Sequence, residues 1–124
     1  MWMCRILLSI NPEHVENIMN GTKLFEFRKV ACKEDIDKIV IYSTYPVCKV
    51  VGEADVKEVI VDTPEVVWKK TKKYSGITKQ FFDTYYENKN KAVAYHLSNV
   101  VKFDSVKDLS SYGVKMAPQS FVYV

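Results

Sequence analysis

Hydrophobic and polar positions divide the chain into short runs with two alternating periods. Arg5-Ile6-Leu7-Leu8-Ser9-Ile10 is a nearly continuous apolar run, the pattern of a central strand. Asn11-Pro12-Glu13 then carries helix-start signals: Asn11 as N-cap, Pro12 at the first helical position and Glu13 against the dipole. Val15, Ile18 and Met19 form one apolar stripe, and Asn20-Gly21 ends the helix after barely two turns, the glycine supplying a left-handed conformation. Beyond it, Phe25 and Phe27 alternate with Glu26 and Arg28. Side chains along a strand alternate faces, so the phenylalanines are predicted to pack while Glu26 and Arg28 share the other face, with Lys23 at the strand mouth.

Ala31 to Asp37 is polar and reads as a loop. Asp37 to Ser43 is a strand, ended by Thr44-Tyr45-Pro46, where proline removes a ladder donor. Val47 to Val61 is one long strand or a bent pair, apolar at Val50, Gly52, Ala54 and Val56. Gly52 predicts a bulge or a close backbone approach. Thr63-Pro64-Glu65 opens a second helix running through Trp68 to about Tyr74, which carries Lys69, Lys70, Lys72 and Lys73. Ser75-Gly76-Ile77-Thr78 breaks it and caps a third, whose stripe of Phe81, Phe82, Tyr85 and Tyr86 is expected to contact the core. Ala92 to Leu97 alternates Val93, Tyr95 and Leu97 against Ala92, Ala94 and His96, the histidine reading as structural. Val100 to Phe103 continues the sheet, Lys107 to Gly113 is a loop or single turn, and Phe121 to Val124 is a last strand. Five or six strands, mostly apolar on one side with helices between them, predict an α+β domain whose mixed, strongly bent sheet or barrel protects its edges.

At 124 residues the chain is read as one domain spanning 1–124, with ordinary globular proportions of 48% hydrophobic and 27% charged residues. A net charge of +3 is too small to argue for nucleic acid unless it clusters, and the lysines between 69 and 73 are its densest cluster. No run approaches the ~20 apolar residues of a membrane span, and the start Met1-Trp2-Met3-Cys4 reads as part of a first strand rather than a signal peptide. The expectation is a cytoplasmic protein with no membrane association. Cys4, Cys32 and Cys48 are odd in number, lack CxxC spacing and have only His14 and His96 to supplement them. Reduced thiols are therefore expected, with no metal and no cofactor.

The order of elements carries a resemblance. Ser9-Ile10-Asn11-Pro12 precedes a short helix, and the element Gly21-x-Lys23-x-x-Glu26-x-Arg28 follows it. Later come Tyr42-Ser43-Thr44 before Pro46, Gly52-Glu53 in a long strand, a helical segment from Tyr74 to Tyr86, and Pro118-Gln119-Ser120-Phe121. Over essentially its whole length the chain resembles the ASCH domain family, a branch of the PUA-like β-barrels, in its small stand-alone form. The resemblance implies a barrel of five to six strands with inserted short helices, and a cleft between the barrel and its first helix where RNA or nucleotides bind. Carried over by position, Ser9, Lys23, Glu26, Arg28, Ser43 and Gln119 would line that cleft. Lys23 and Arg28 suit phosphate or a base edge, Glu26 suits an exocyclic amine, and Tyr42 or Tyr45 suits stacking on an extruded base. The expected partner is RNA, a nucleotide or a modified nucleoside.

An enzymatic alternative rests on the same signature. Some small ASCH-like proteins hydrolyse the amide of N-acetylated cytidine with a lysine, a threonine and a glutamate. Lys23 matches the lysine, Glu26 occupies the threonine's position, and the glutamate's position falls near Tyr74 or Ser75. A carboxylate does not replace a hydroxyl nucleophile, since it would form an anhydride rather than an ester. Lys23 and Glu26 remain an acid–base pair for another bond, including one in RNA, so the sequence leaves turnover open. A third reading, a protein-interaction module, uses exposed aromatics such as Trp2 and Tyr45.

Overall fold

The structure, a computed structural model, describes residues 4–32 and 35–124. Trp2 lies outside the described residues, as does the Met1–Met3 start. In chain order the elements are β1 (Arg5–Ile10), α1 (Pro12–Met19), β2 (Phe25–Arg28), β3 (Lys38–Ser43) and β4 (Lys49–Asp62). They continue with α2 (Pro64–Thr71), α3 (Lys79–Tyr85), β5 (Ala92–Lys107) and β6 (Phe121–Tyr123). Single 3-10 turns occupy Lys72–Tyr74 and Leu109–Tyr112.

The six strands form one sheet in the order β2-β5-β4-β3-β1-β6. β1 and β3 run parallel, joined through α1 and β2, and the other pairings are antiparallel. The long strands bend at register shifts: one between β3 and β4 at Ile41/Tyr42, and three between β4 and β5. Each bulge adds local twist, and together they curl the sheet into a half-barrel. Gly52 sits at one of these shifts, and a Cβ there would stand 2.4 Å from the Val101 carbonyl oxygen. The expected bulge and the expected close approach are the same feature.

The core is layered. Inside the curve, Ile6, Leu8, Ile39, Ile41 and Tyr95 meet Val15 and Ile18 of α1. On the opposite side of β2 and β5, Phe25, Phe27, Ala92 and Ala94 pack against Val67, Phe82 and Tyr86 from α2 and α3. A third cluster of Leu7, Val40, Tyr42 and Val50 is covered by Leu109, Tyr112, Val122 and Val124. Ala92, Val93, Ala94 and Tyr95 are all fully buried because β5 has a layer on each face, and its alanines let the helices approach closely.

Two expectations need adjustment. The second helix ends at Thr71 and tightens into the 3-10 turn, so Lys72 and Lys73 belong to a separate element from Lys69 and Lys70. The aromatic stripe of α3 is also not uniformly core. Phe82 and Tyr86 are buried, whereas Phe81 is 49% exposed and Tyr85 half-buried.

Candidate functional site

The turn after α1 fixes where β2 begins. Asn20 caps the helix, Gly21 takes φ +84°, and the backbone N–H groups of Thr22 and Lys23 both donate to the Asn17 carbonyl, at 3.1 and 3.0 Å. Leu24 N–H then donates to the Tyr74 carbonyl at 2.9 Å, tying the start of β2 to the 3-10 turn after α2. The pairing of Glu26 with Tyr95 and of Arg28 with Val93 puts both side chains on the inner face, as their alternation predicted.

There the charges interlock. Arg28 Nη2 donates to Glu26 Oε2 and to the Ser9 carbonyl, each at 2.8 Å. Lys23 Nζ donates to the Ser75 carbonyl at 2.7 Å, lies 3.9 Å from Glu26 Oε1, and sits 4.8 Å from the Phe27 ring centroid. Lys23 is 1% exposed and Glu26 6%. Burial pushes the Lys23 ammonium below its ordinary value; Glu26 opposes that shift and Arg28 adds to it. Gly76, at φ +70°, lies against the lysine stem, and a Cβ there would stand 2.5 to 2.9 Å from the Lys23 Cβ, Cγ and Cδ.

Above this floor opens a cleft of about 790 Å³. α1 contributes Asn11, Glu13 and His14; the segment after α2 contributes Lys72, Lys73 and the Ser75–Thr78 turn; α3 contributes Phe81 and Tyr85. His14 stands edge-on to Phe81, with centroids 5.5 Å apart. Burial, then the Lys23 charge, lowers the His14 pKa below its ordinary 6.5, so the imidazole is neutral at pH 7. The Phe81 and Tyr85 rings are parallel to within 9°, with centroids 6.5 Å apart. Lys23, Arg28, Lys72 and Lys73 outnumber Glu13 and Glu26, so the lining carries an excess of positive charge.

Of the residues singled out in the sequence, the structure brings Lys23, Glu26 and Arg28 together here. Ser9 reaches them through its carbonyl on Arg28, while its hydroxyl donates to the Pro118 carbonyl at 2.8 Å. Tyr42 shares the parity of Val40 and points into the third cluster on the opposite face of the sheet, where burial raises its pKa. Ser43 is buried at the end of β3 beside Ile10. Gln119 and Tyr45 are exposed, and neither lines the cleft. His14, Phe81 and Tyr85 line it without having been singled out as site residues. A signal for the two aromatics existed: Phe81/Tyr85 and Phe82/Tyr86 are two i,i+4 pairs one residue apart, and a short helix turns only one such pair squarely to the core. Lys69 and Lys70 lie outside the cleft lining. Among the described residues, no group of three His, Cys, Asp or Glu side chains could hold a metal ion, and no helix is long and apolar enough to cross a membrane.

Residues 8–121 match the DUF365 family, a domain of unknown function. Large ribosomal subunit protein uL22 of Ureaplasma parvum serovar 3 is 32% identical over 120 residues, which are 96% of this chain and 39% of that protein. The chain thus spans well under half of that relative. The ASCH domain-containing ribonuclease of Zymomonas mobilis is 26% identical over 109 residues, 83% of this chain and 74% of that one. The crystal structure of ASCH from Zymomonas mobilis matches with a TM-score of 0.87 at 24% identity, over 97% of this chain and 87% of that one. The chain belongs to the DUF365 family, and its fold is that of an ASCH domain, a half-barrel of the PUA-like kind.

Proposed function

We propose that the cleft binds RNA or a nucleotide by taking one base between the Phe81–Tyr85 wall and the Glu26–Arg28 floor. The observation that carries this reading is the opposition of the two surfaces. One wall offers a flat, partly exposed aromatic face from α3, and the floor offers a carboxylate acceptor and guanidinium donors. A nucleobase has a matching flat face and polar edge, and readers of single-stranded RNA combine stacking with edge hydrogen bonds in this way. Arg28 and Glu26 contact the base edge, while Lys23 is too deeply covered to meet a phosphate and sets the charge of the floor. Ser9 supports Arg28 from behind. A Zymomonas relative bearing the name ribonuclease is in keeping with an RNA ligand.

Fluorescence-anisotropy titration of short single-stranded RNAs at low salt, with wild type beside Phe81→Ala, tests the reading. Phe81 is half exposed, so the variant is expected to fold. Losing one stacking partner is worth about 1–3 kcal/mol, which weakens binding about 5- to 150-fold. No binding at low salt, or binding indifferent to Phe81→Ala, overturns the proposal.

A second reading, hydrolysis in the same cleft, is favoured by the buried lysine. A Lys23 ammonium lowered by burial, 3.9 Å from the Glu26 carboxylate, is a proton donor and acceptor pair suited to acid–base work. Incubating labelled RNA with wild type and Lys23→Ala tests it. Cleavage that persists in the variant assigns the activity to another site.

A further inference from the structure

The charges on the floor of the cleft are covered. Side-chain exposure is 1% at Lys23, 7% at Glu26 and 14% at Arg28. A ligand bonds only to groups it can reach, so part of the cover has to move before one binds there. Two rings meet in the cleft from separate helices. His14 comes from α1 and Phe81 from α3, and the rings stand at 74° to one another with centroids 5.5 Å apart. Burial is the main cause of the lowered His14 pKa, but the charges of Lys23, Glu26 and Arg28 also act on it, so the imidazole lies close to the floor. His14 Nδ1 and Arg28 Nε are both buried without a hydrogen-bond partner among the described residues. Leaving such groups unpaired costs free energy, which counts against the closed arrangement.

The helices themselves are anchored. Val15 follows His14 and Phe82 follows Phe81, and these neighbours are only 8% and 1% exposed, each packed into a core cluster. The rings are freer: Phe81 is 49% exposed and His14 half-buried. Side chains with this much open surface change rotamer within picoseconds to nanoseconds. An edge-to-face ring contact has a preferred geometry but is weak enough to break without disturbing the helices. We infer that the His14–Phe81 contact is a latch between α1 and α3, closed in this structure, whose parting admits a ligand to Glu26 and Arg28. The identity of that ligand rests on the base-binding reading above, whereas the latch stands on the ring contact and the covered floor. Phe81 thus has two roles: it holds the cleft shut against His14, and once released it offers its face to the base.

The test reads access to Arg28 with no ligand present. The chain has two arginines, Arg28 under the latch and Arg5, which stands over the Tyr112 ring beside the third cluster. Phenylglyoxal modifies arginine, and peptide mass spectrometry of the full chain gives the rate at each one. In His14→Ala the Arg28 rate is expected to rise about 2- to 12-fold relative to Arg5, the worth of one ring–ring contact. His14→Phe keeps a ring against Phe81 and should react as slowly as wild type. Phe81→Ala should also speed Arg28, and the double variant should gain less than the product of the two single gains, because both remove one shared contact. The latch is overturned by an unchanged Arg28 rate in His14→Ala, by Arg5 quickening equally, by His14→Phe matching His14→Ala, or by a double variant that equals the product. Stopped-flow mixing of the same proteins with a short single-stranded RNA separates the latch from the base reading. Association with His14→Ala should quicken by the factor seen at Arg28, and an unchanged rate overturns the latch's part in admission. Faster Arg28 modification with no RNA binding in any variant supports the latch and overturns base binding; RNA binding with Arg28 modification unchanged does the reverse.

Discussion

Gly76 is the point where the cleft's buried lysine is held in place, and Gly76→Ala measures how tightly. Two costs add there. At φ +70° an alanine adopts a left-handed conformation, about 1–2 kcal/mol against an L-residue with a Cβ. Its Cβ would also meet the Lys23 stem at 2.5, 2.6 and 2.9 Å, all closer than real Cβ contacts. Lys23 cannot swing aside freely, because its ammonium is bonded to the Ser75 carbonyl next door and its stem is buried. Overpacking of this kind costs about 1–3 kcal/mol, so the total is roughly 2–5 kcal/mol. At this chain length each kcal/mol moves Tm by about 4 °C, which predicts a fall of roughly 8–20 °C. The control is Gly21→Ala: φ is +84°, yet nothing lies within 4 Å of the new Cβ, so only the backbone cost of about 1–2 kcal/mol applies. Thermal unfolding followed by circular dichroism compares the two variants. Equal losses would refute the claim that Gly76 is reserved for the lysine, since of the two glycines only Gly76 faces the Lys23 stem.

Two further substitutions probe the frame and the floor. At Gly52 a Cβ would stand 2.4 Å from the Val101 carbonyl, a backbone atom that has no rotamer to escape into. Gly52→Ala is therefore expected to cost more than about 4 kcal/mol or to abolish folding, and a near-native Tm would show that β4 and β5 are not pressed together there. Lys23→Met tests the electrostatics through pH. The folded Lys23 value lies below its ordinary 10.5, so as pH approaches 10.5 from below the unfolded chain binds more protons than the folded one, and stability rises with pH. Tyr86 and Tyr95, raised by burial, act oppositely and withdraw stability only above their ordinary 10.0. Urea unfolding from about pH 8 to 10 should therefore show wild type gaining on Lys23→Met as pH rises. A gap that stays flat refutes a depressed lysine.

The elements were legible where local chemistry and periodicity agreed. Asn11-Pro12-Glu13 and Thr63-Pro64-Glu65 each start a helix with the N-cap side chain accepting a backbone N–H, from Glu13 and Val66 respectively, as those residue types predict. The alternation of Phe25, Glu26, Phe27 and Arg28 placed two faces correctly because a strand's period of two leaves no other arrangement. What could not be read locally was the number of layers. The alternation in Ala92–Leu97 suggested one buried face, yet both faces of β5 are covered, by α1 on one side and by α2 and α3 on the other. Burial of the second face depends on helices up to 30 residues earlier, and alanines are equally suited to a close helix contact and to a bland surface.

The same distinction separates the parts of the site. Lys23, Glu26 and Arg28 converge because a turn and a four-residue strand fix them relative to one another, and all of that lies within eight residues of Gly21. Whether Lys23 would be a surface cation or a buried one depended on Ser75, 52 positions away, whose carbonyl accepts a hydrogen bond from its ammonium, and on Gly76, whose missing side chain makes room for its stem. Tyr42 failed to join the cleft for the converse reason. Its strand was assigned correctly, but parity with Val40 turns it to the sheet's other face, where the chain's last strand covers it. Phe81 follows from rotation as well: at 100° per residue it cannot share the core-facing direction of Phe82, so one of the two must look into the cleft. A half-exposed phenylalanine contributes little to folding stability, because its ring keeps much of its contact with water. Its position in the same cleft as Glu26 and Arg28 leaves a partly open aromatic face beside polar groups, and that is the physical content of the binding proposal.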